Sequence, residues 1–135
     1  MNSALTSLVW ERAGNRCEYC RLHQDDEEDT PFHIEHIIAK KHRGSDEADN
    51  LCLSCSRCNS FKGPNLGGLH GGKIYPLYNP RRQAWPRHFY WEQTILIGKT
   101  ATGIVTVHVL NINGDTRVEQ RENLLFEGRF PPEET

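Results

Sequence analysis

Glu35 and His36 stand side by side, Asn50 follows them after a loop, and Cys55, Cys58 and Asn59 come directly after that. A second C-x-x-C pair lies upstream at Cys17 and Cys20. An imidazole titrates near neutral pH and suits the task of general base, so His36 is the candidate base. Glu35 offers a hard oxygen ligand for a divalent ion, and the Asn59 amide can add another. Lys62, one helical turn beyond Asn59, is expected to hold a phosphate oxygen, and Arg43 in the loop to contact the same backbone. The Asn50 side chain suits bonding to backbone groups and ordering a loop. Together these are the parts that phosphodiester hydrolysis requires: an activated water, a cation to offset charge on the phosphate, and fixed positions for both.

The cysteines point to a metal. There are five in the chain, four of them in C-x-x-C pairs, and structural zinc takes four deprotonated sulfurs in a tetrahedron. Cys52 and Cys55 also spell C-x-x-C, but Cys58 falls where a second strand hands over to a helix. Cys17, Cys20, Cys55 and Cys58 are therefore the expected ligands, with Cys52 packing as a small hydrophobe. Four thiolates leave no open position, so the zinc would be structural.

The elements that must support these side chains are legible: FHIEHII has strand-like composition, NLCLSC can be its partner across a loop through Arg43-Gly44-Ser45, and RCNSFK suits a short helix ended by Gly63-Pro64. Neighbouring strand residues face opposite ways, so Glu35 and His36 serve one site only if the strand ends or twists there. Upstream, Ser3 to Ala13 reads as a helix with Leu5, Leu8 and Val9 on one stripe, Ser3 as cap and Gly14 just beyond its end. Downstream, GPNLGGLHGGK reads as an extended mobile connector, and IYPLYNPRRQAWPRHFYW as too rich in proline and aromatics for a regular element. TILIG and GIVTVHVL read as two strands of a hairpin, and Asp115 as the cap of a last helix running to about Phe126.

At 135 residues the chain fits one domain. It has no membrane-length apolar run, and its first residues lack the features of a signal peptide, so a cytoplasmic location is expected. The net charge of −2 hides an asymmetry: residues 36–99 carry ten Lys/Arg against four acids, while both flanks are acidic. A basic middle can face phosphates within an acidic chain.

E-H-I-I, then D-N-L, then C-x-x-C-N-x-x-K resembles the HNH endonuclease family, the ββα-metal nucleases, in its four-cysteine zinc branch. The resemblance covers residues 17–63. It implies His36 as general base, Glu35 and Asn59 as ligands of a catalytic divalent ion (Mg²⁺ or Mn²⁺), and Asn50 as the residue that orders the loop. It also supports Cys55/Cys58 as the second zinc pair. The tail, with L-Y-N-P-R-R-x-x-W-x-x-H-F-Y-W, looks like an extension found in many bacterial members. Asn59 stands where the family often has His, and Glu35 where it often has Asp, which leaves metal preference open. His33 and His42 are further ligand candidates. Arg81, Arg82, Trp85, Arg87 and His88 form a basic–aromatic group that either grips DNA or packs the tail on a core.

The expectation is an α+β protein: a zinc-stapled ββα-metal core (15–64) with an N-terminal helix and a C-terminal extension (73–130) built as a β-hairpin plus helix. Its expected activity is metal-dependent DNA endonuclease cleavage, with a homodimer as a route to double-strand cutting. A zinc-containing module that binds nucleic acid without cutting it is the alternative, followed by a thiol redox protein.

Overall fold

The computed structural model describes residues 2–132 as a mixed α+β fold with three separate two-stranded antiparallel sheets. The chain divides into two compact units. One takes the residues up to Leu66 together with Asn79–Gln83, and the other takes Gly67–Tyr78 and the residues from Ala84 onward.

The first unit opens with α1 (Ser3–Ala13). Asn2, not Ser3, caps it, its side chain accepting from the Leu5 amide at 2.7 Å, and Gly14 ends it at φ 62°. Val9 is buried while Leu8 faces solvent, and Trp10 stacks on Phe32 at 6.4 Å. The helix packs on β2, and the Arg12 guanidinium donates to the carbonyls of Ala48 (2.7 Å) and Leu51 (2.6 Å). Strands β1 (His33–His36) and β2 (Leu51–Ser54) pair antiparallel with Glu35 opposite Cys52 and His36 opposite Leu51. Helix α2 (Ser56–Lys62) follows at once and packs on β1. The expected strand–loop–strand–helix order is present. Arg81 returns to this unit and forms an ion pair with the buried Glu18 carboxylate, whose other oxygen accepts from the Leu53 amide at 2.8 Å.

The second unit departs from expectation in several places, and the stretch 74–91, read as too rich in proline and aromatics for a regular element, contributes to two strands and a one-turn helix. The glycine-rich stretch read as a connector is a hairpin, β3 (Gly67–His70) with β4 (Lys73–Pro76). Its two turn residues, Gly71 and Gly72, lie at φ 57° and 79°, the left-handed pair that a tight hairpin needs. Further on, Ile95–Gly98 (β6) does form a hairpin, but its partner is β5 (Phe89–Glu92), which follows the one-turn helix α3 (Trp85–His88). GIVTVHV lies in helix α4 (Ala101–Val109) instead. The reason lies in its period: Thr102, Val105 and Thr106 are buried at helical spacing, and Thr100 caps the start by accepting from the Gly103 amide. Tertiary burial of that stripe overrides the β-propensity of its branched residues. Helix α4 packs on β3, β4 and β6. The last helix, α5 (Asp115–Phe126), is capped by Gly114, with Asp115 in its first turn. Among the described residues no helix is long and apolar enough to cross a membrane.

Candidate active site and cysteine cluster

Cys17 and Cys20 come from a turn closed by the Cys17 amide on the Leu22 carbonyl (2.8 Å) and the Arg21 amide on the Cys17 carbonyl (2.9 Å). Cys55 is the N-cap of α2, its sulfur accepting from the Cys58 amide at 3.4 Å. All four sulfurs are buried and lie within 4.8 Å of one another. A tetrahedron with arms of about 2.3 Å has edges of about 3.8 Å, and Cys20 Sγ lies 3.8 Å from Cys55 Sγ. Soft donors at this spacing fit a zinc-type ion. Hydrogen bonds to Cys17 and Cys20 push the Cys55 thiol up, and burial pushes Cys58 up, so a cation is what would favour the thiolates here. Cys52 lies outside the cluster, its sulfur 3.5 Å from both the Tyr19 hydroxyl and Glu35 Oε1.

Glu35 and His36 take opposite faces of β1. Glu35 points inward, only 7% exposed, with Lys62 Nζ 3.9 Å from Oε1. Burial raises its carboxyl above the usual range, against the pull of Lys62 and the hydrogen bonds from Tyr19 and Cys52. His36, at the strand end, keeps 27% of its side chain exposed, and Nε2 lies 2.7 Å from Asp46 Oδ1. Asp46 Oδ2 accepts from Lys40 Nζ at 3.0 Å.

The loop between the strands is pinned by Asn50. Its Oδ1 accepts from the Ile38 amide (2.9 Å), and its Nδ2 donates to the carbonyls of Ile38 (3.0 Å) and Ser45 (2.8 Å). The Asn50 carbonyl accepts from the Ile37 amide at 2.8 Å. Gly44 runs so close beneath Ile38 that a Cβ there would fall 1.7 Å from the Ile38 carbonyl oxygen. Only glycine permits this approach.

Lys62 differs from its expected place. It is 1% exposed, and its Nζ donates to the carbonyls of Ile37 (3.0 Å) and His36 (3.3 Å), so it anchors the end of β1 and does not face solvent. A lysine one turn from Asn59 on a seven-residue helix lies partly on the packed side, and here that side wins. Asn59 is half-buried on α2; its backbone N–H donates to the Cys55 carbonyl at 2.9 Å, and its side-chain amide makes no hydrogen bond among the described residues. Lys41, His42 and Arg43 are exposed on the loop, and His33 is exposed on β1. In the tail group, Trp85 and Phe89 are buried with ring centroids 5.2 Å apart, and His88 is buried against Thr100. Only Arg82 and Arg87 of that group remain exposed. Sequence reasoning missed Asp46, which carries no local signal beyond an acid after Gly-Ser, and the Tyr19 hydroxyl beneath Glu35.

Residues 17–65 match the HNH endonuclease family. Septu protein PtuB of Bacillus thuringiensis is 33% identical over 105 residues, which cover 76% of this chain. The matched stretch spans 38% of that relative's length. No solved structure shows significant similarity.

Proposed function

Because residues 17–65 match the HNH endonuclease family, we propose that this chain is a metal-dependent endonuclease that hydrolyses DNA phosphodiester bonds. The observation that carries the proposal is the division of labour on β1, where a buried carboxylate faces α2 and the adjacent imidazole reaches the surface. His36 takes the proton of the attacking water, and Asn50 holds the loop that borders it. Glu35 and Asn59 are hard oxygen donors on two elements that pack together, and they would hold a divalent ion such as Mg²⁺ or Mn²⁺. Such an ion supplies positive charge to the phosphate and to the departing 3′ oxygen. Arg43 contacts the DNA backbone from the exposed loop, and Lys62 keeps His36 in place through its carbonyl. Cys17, Cys20, Cys55 and Cys58 hold a structural zinc that fixes the start of α2. The residues from 73 to 130 are an extension of the same protein, and double-strand cutting calls for a second copy or a second encounter.

A supercoiled-plasmid assay with Mg²⁺, Mn²⁺, Ni²⁺ or EDTA tests this, with His36→Ala beside the wild type. Metal-dependent nicking that vanishes in a folded His36→Ala protein is the expected result. One observation favours a second reading, a nucleic-acid-binding module: Glu35 already has Lys62, Tyr19 and Cys52 as partners. DNA retention without cleavage in every metal would select it.

A further inference from the structure

Asn50 pins the loop between β1 and β2 at Ile38 and at Ser45, and the residue after Ser45 is Asp46. Asn50 Nδ2 holds the Ser45 carbonyl at 2.8 Å, and Gly44 lies against Ile38 where no side chain fits. Asp46 is thereby delivered to His36, Oδ1 at 2.7 Å from Nε2, while Lys40 holds the other carboxylate oxygen at 3.0 Å. From these contacts we infer that Asp46 is the positioning residue of the general base: it fixes the His36 ring with Nε2–H turned to its carboxylate, and leaves the Nδ1 lone pair to receive the proton of water. The inference rests on the nuclease reading and deepens it.

The chemistry follows from the hydrogen bond. A neutral imidazole carries one proton, and a carboxylate at one nitrogen places that proton there, which fixes the other nitrogen as the acceptor. Hydrogen bonds from His36 and Lys40 hold the Asp46 carboxyl below its usual range, so it is an ionised acceptor at neutral pH. In the reaction a water O–H bond breaks toward Nδ1 and the oxygen bonds to phosphorus. The P–O3′ bond breaks, the 3′ oxygen leaves with the electron pair and takes a proton from solvent, and His36 returns its own proton to solvent. Asp46 stays ionised and shares the imidazolium charge while it lasts. This also gives Asn50 a purpose beyond ordering a loop: it sets the distance between the carboxylate and the ring.

Two measurements on the full chain test the role. Nitrogen-15 NMR of the His36 ring in metal-loaded protein reads the tautomer without any substrate. The Nε2-protonated form is expected in wild type, and a mixture in Asp46→Ala. Single-turnover plasmid nicking reads the consequence: Asp46→Ala is expected to lose about tenfold to a hundredfold in rate, with DNA affinity within about twofold of wild type. Asp46→Asn, which retains an acceptor oxygen, is expected to recover part of the loss. Asp46 is exposed, so melting temperature and zinc content should not change. An Nδ1-protonated ring in wild type, or wild-type nicking by Asp46→Ala, would overturn the assignment. So would a loss confined to DNA affinity. If wild type itself nicks nothing in any metal, the nuclease reading fails first, and the positioning role goes with it.

Discussion

The two units bury different kinds of side chain. The interior of the first holds five cysteines, Glu18, Glu35, Asn50 and Lys62 beside a few apolar groups such as Val9, Phe32, Leu51 and Leu53. That of the second is Leu77, Tyr78, Trp85, Phe89, Leu96, Val105, Leu110, Ile112 and Leu124. Its buried cations, Arg117 and Arg121, donate to the carbonyls of Leu110, Thr94 and Ile112. Apolar burial of the second kind is stabilising without assistance, at about 25 cal/mol per Å². Buried thiolates and carboxylates cost free energy unless a partner of opposite charge is present. The first unit gives much of its interior to polar and metal-ligating side chains, so its stability is expected to depend on an ion at the four cysteines. The second supplies its own stability.

The largest break in that contrast should come from the cysteines. An ion on four thiolates contributes about 10 kcal/mol or more to folding, which is as large as the whole stability of a typical domain. Cys58→Ser, or a strong chelator, should therefore unfold the first unit and leave the second folded. Residue-resolved amide hydrogen exchange reads both at once. Protection retained in β1, β2 and α2 after chelation would show that the first core stands unaided. A smaller break comes from the other side. Leu96 is 1% exposed, so Leu96→Ala should cost about 2–5 kcal/mol in the second unit. The loss should be the same with and without chelator; a chelator-dependent loss would erase the distinction.

The smallest effect is a pH dependence confined to the second unit. Burial, with Arg87 beside it, holds the His88 imidazole below its usual value. The unfolded chain takes up that proton near pH 6.5, and the folded chain only at lower pH. Its contribution is therefore fully present above about pH 6.5 and falls away as the pH drops through the window beneath. Exchange protection of α3, β5 and α4 should decline between pH 7.5 and 5.5, and His88→Gln should flatten the decline. An unchanged slope in that variant would remove His88 as the cause.

The same contrast explains what the sequence made legible. Cysteine spacing pointed to the four-sulfur cluster, because a metal site needs set residue types at set intervals. Cys52 also spells C-x-x-C with Cys55, however, and the strand-to-helix hand-over at Cys58 decided between them. The β1–loop–β2–α2 order was readable for a related reason, since turn and cap residues mark its joints. Packing in the second unit left weaker marks. Val105 and Val109 satisfy a period of two and a period of 3.6 alike, and only burial against β3, β4 and β6 decides for the helix. The β5–β6 turn places Gln93 at φ 57°, with no glycine or asparagine to announce it. Lys62 and Asp46 were misjudged or missed because exposure and ten-residue contacts are properties of the folded chain.

The Glu18–Arg81 ion pair bears on anyone who would transplant this domain. The segment that matches the family stops at residue 65, yet the unit that contains it includes Asn79–Gln83. A gene fragment cut at the family boundary would encode Glu18 without Arg81 and leave a buried carboxylate near the cysteine cluster with the Leu53 amide as a donor but no cation from that arginine. Protein engineers should treat the core as discontinuous in sequence: a graft that works must carry the arginine along, or replace Glu18 by a residue that asks for no counterion.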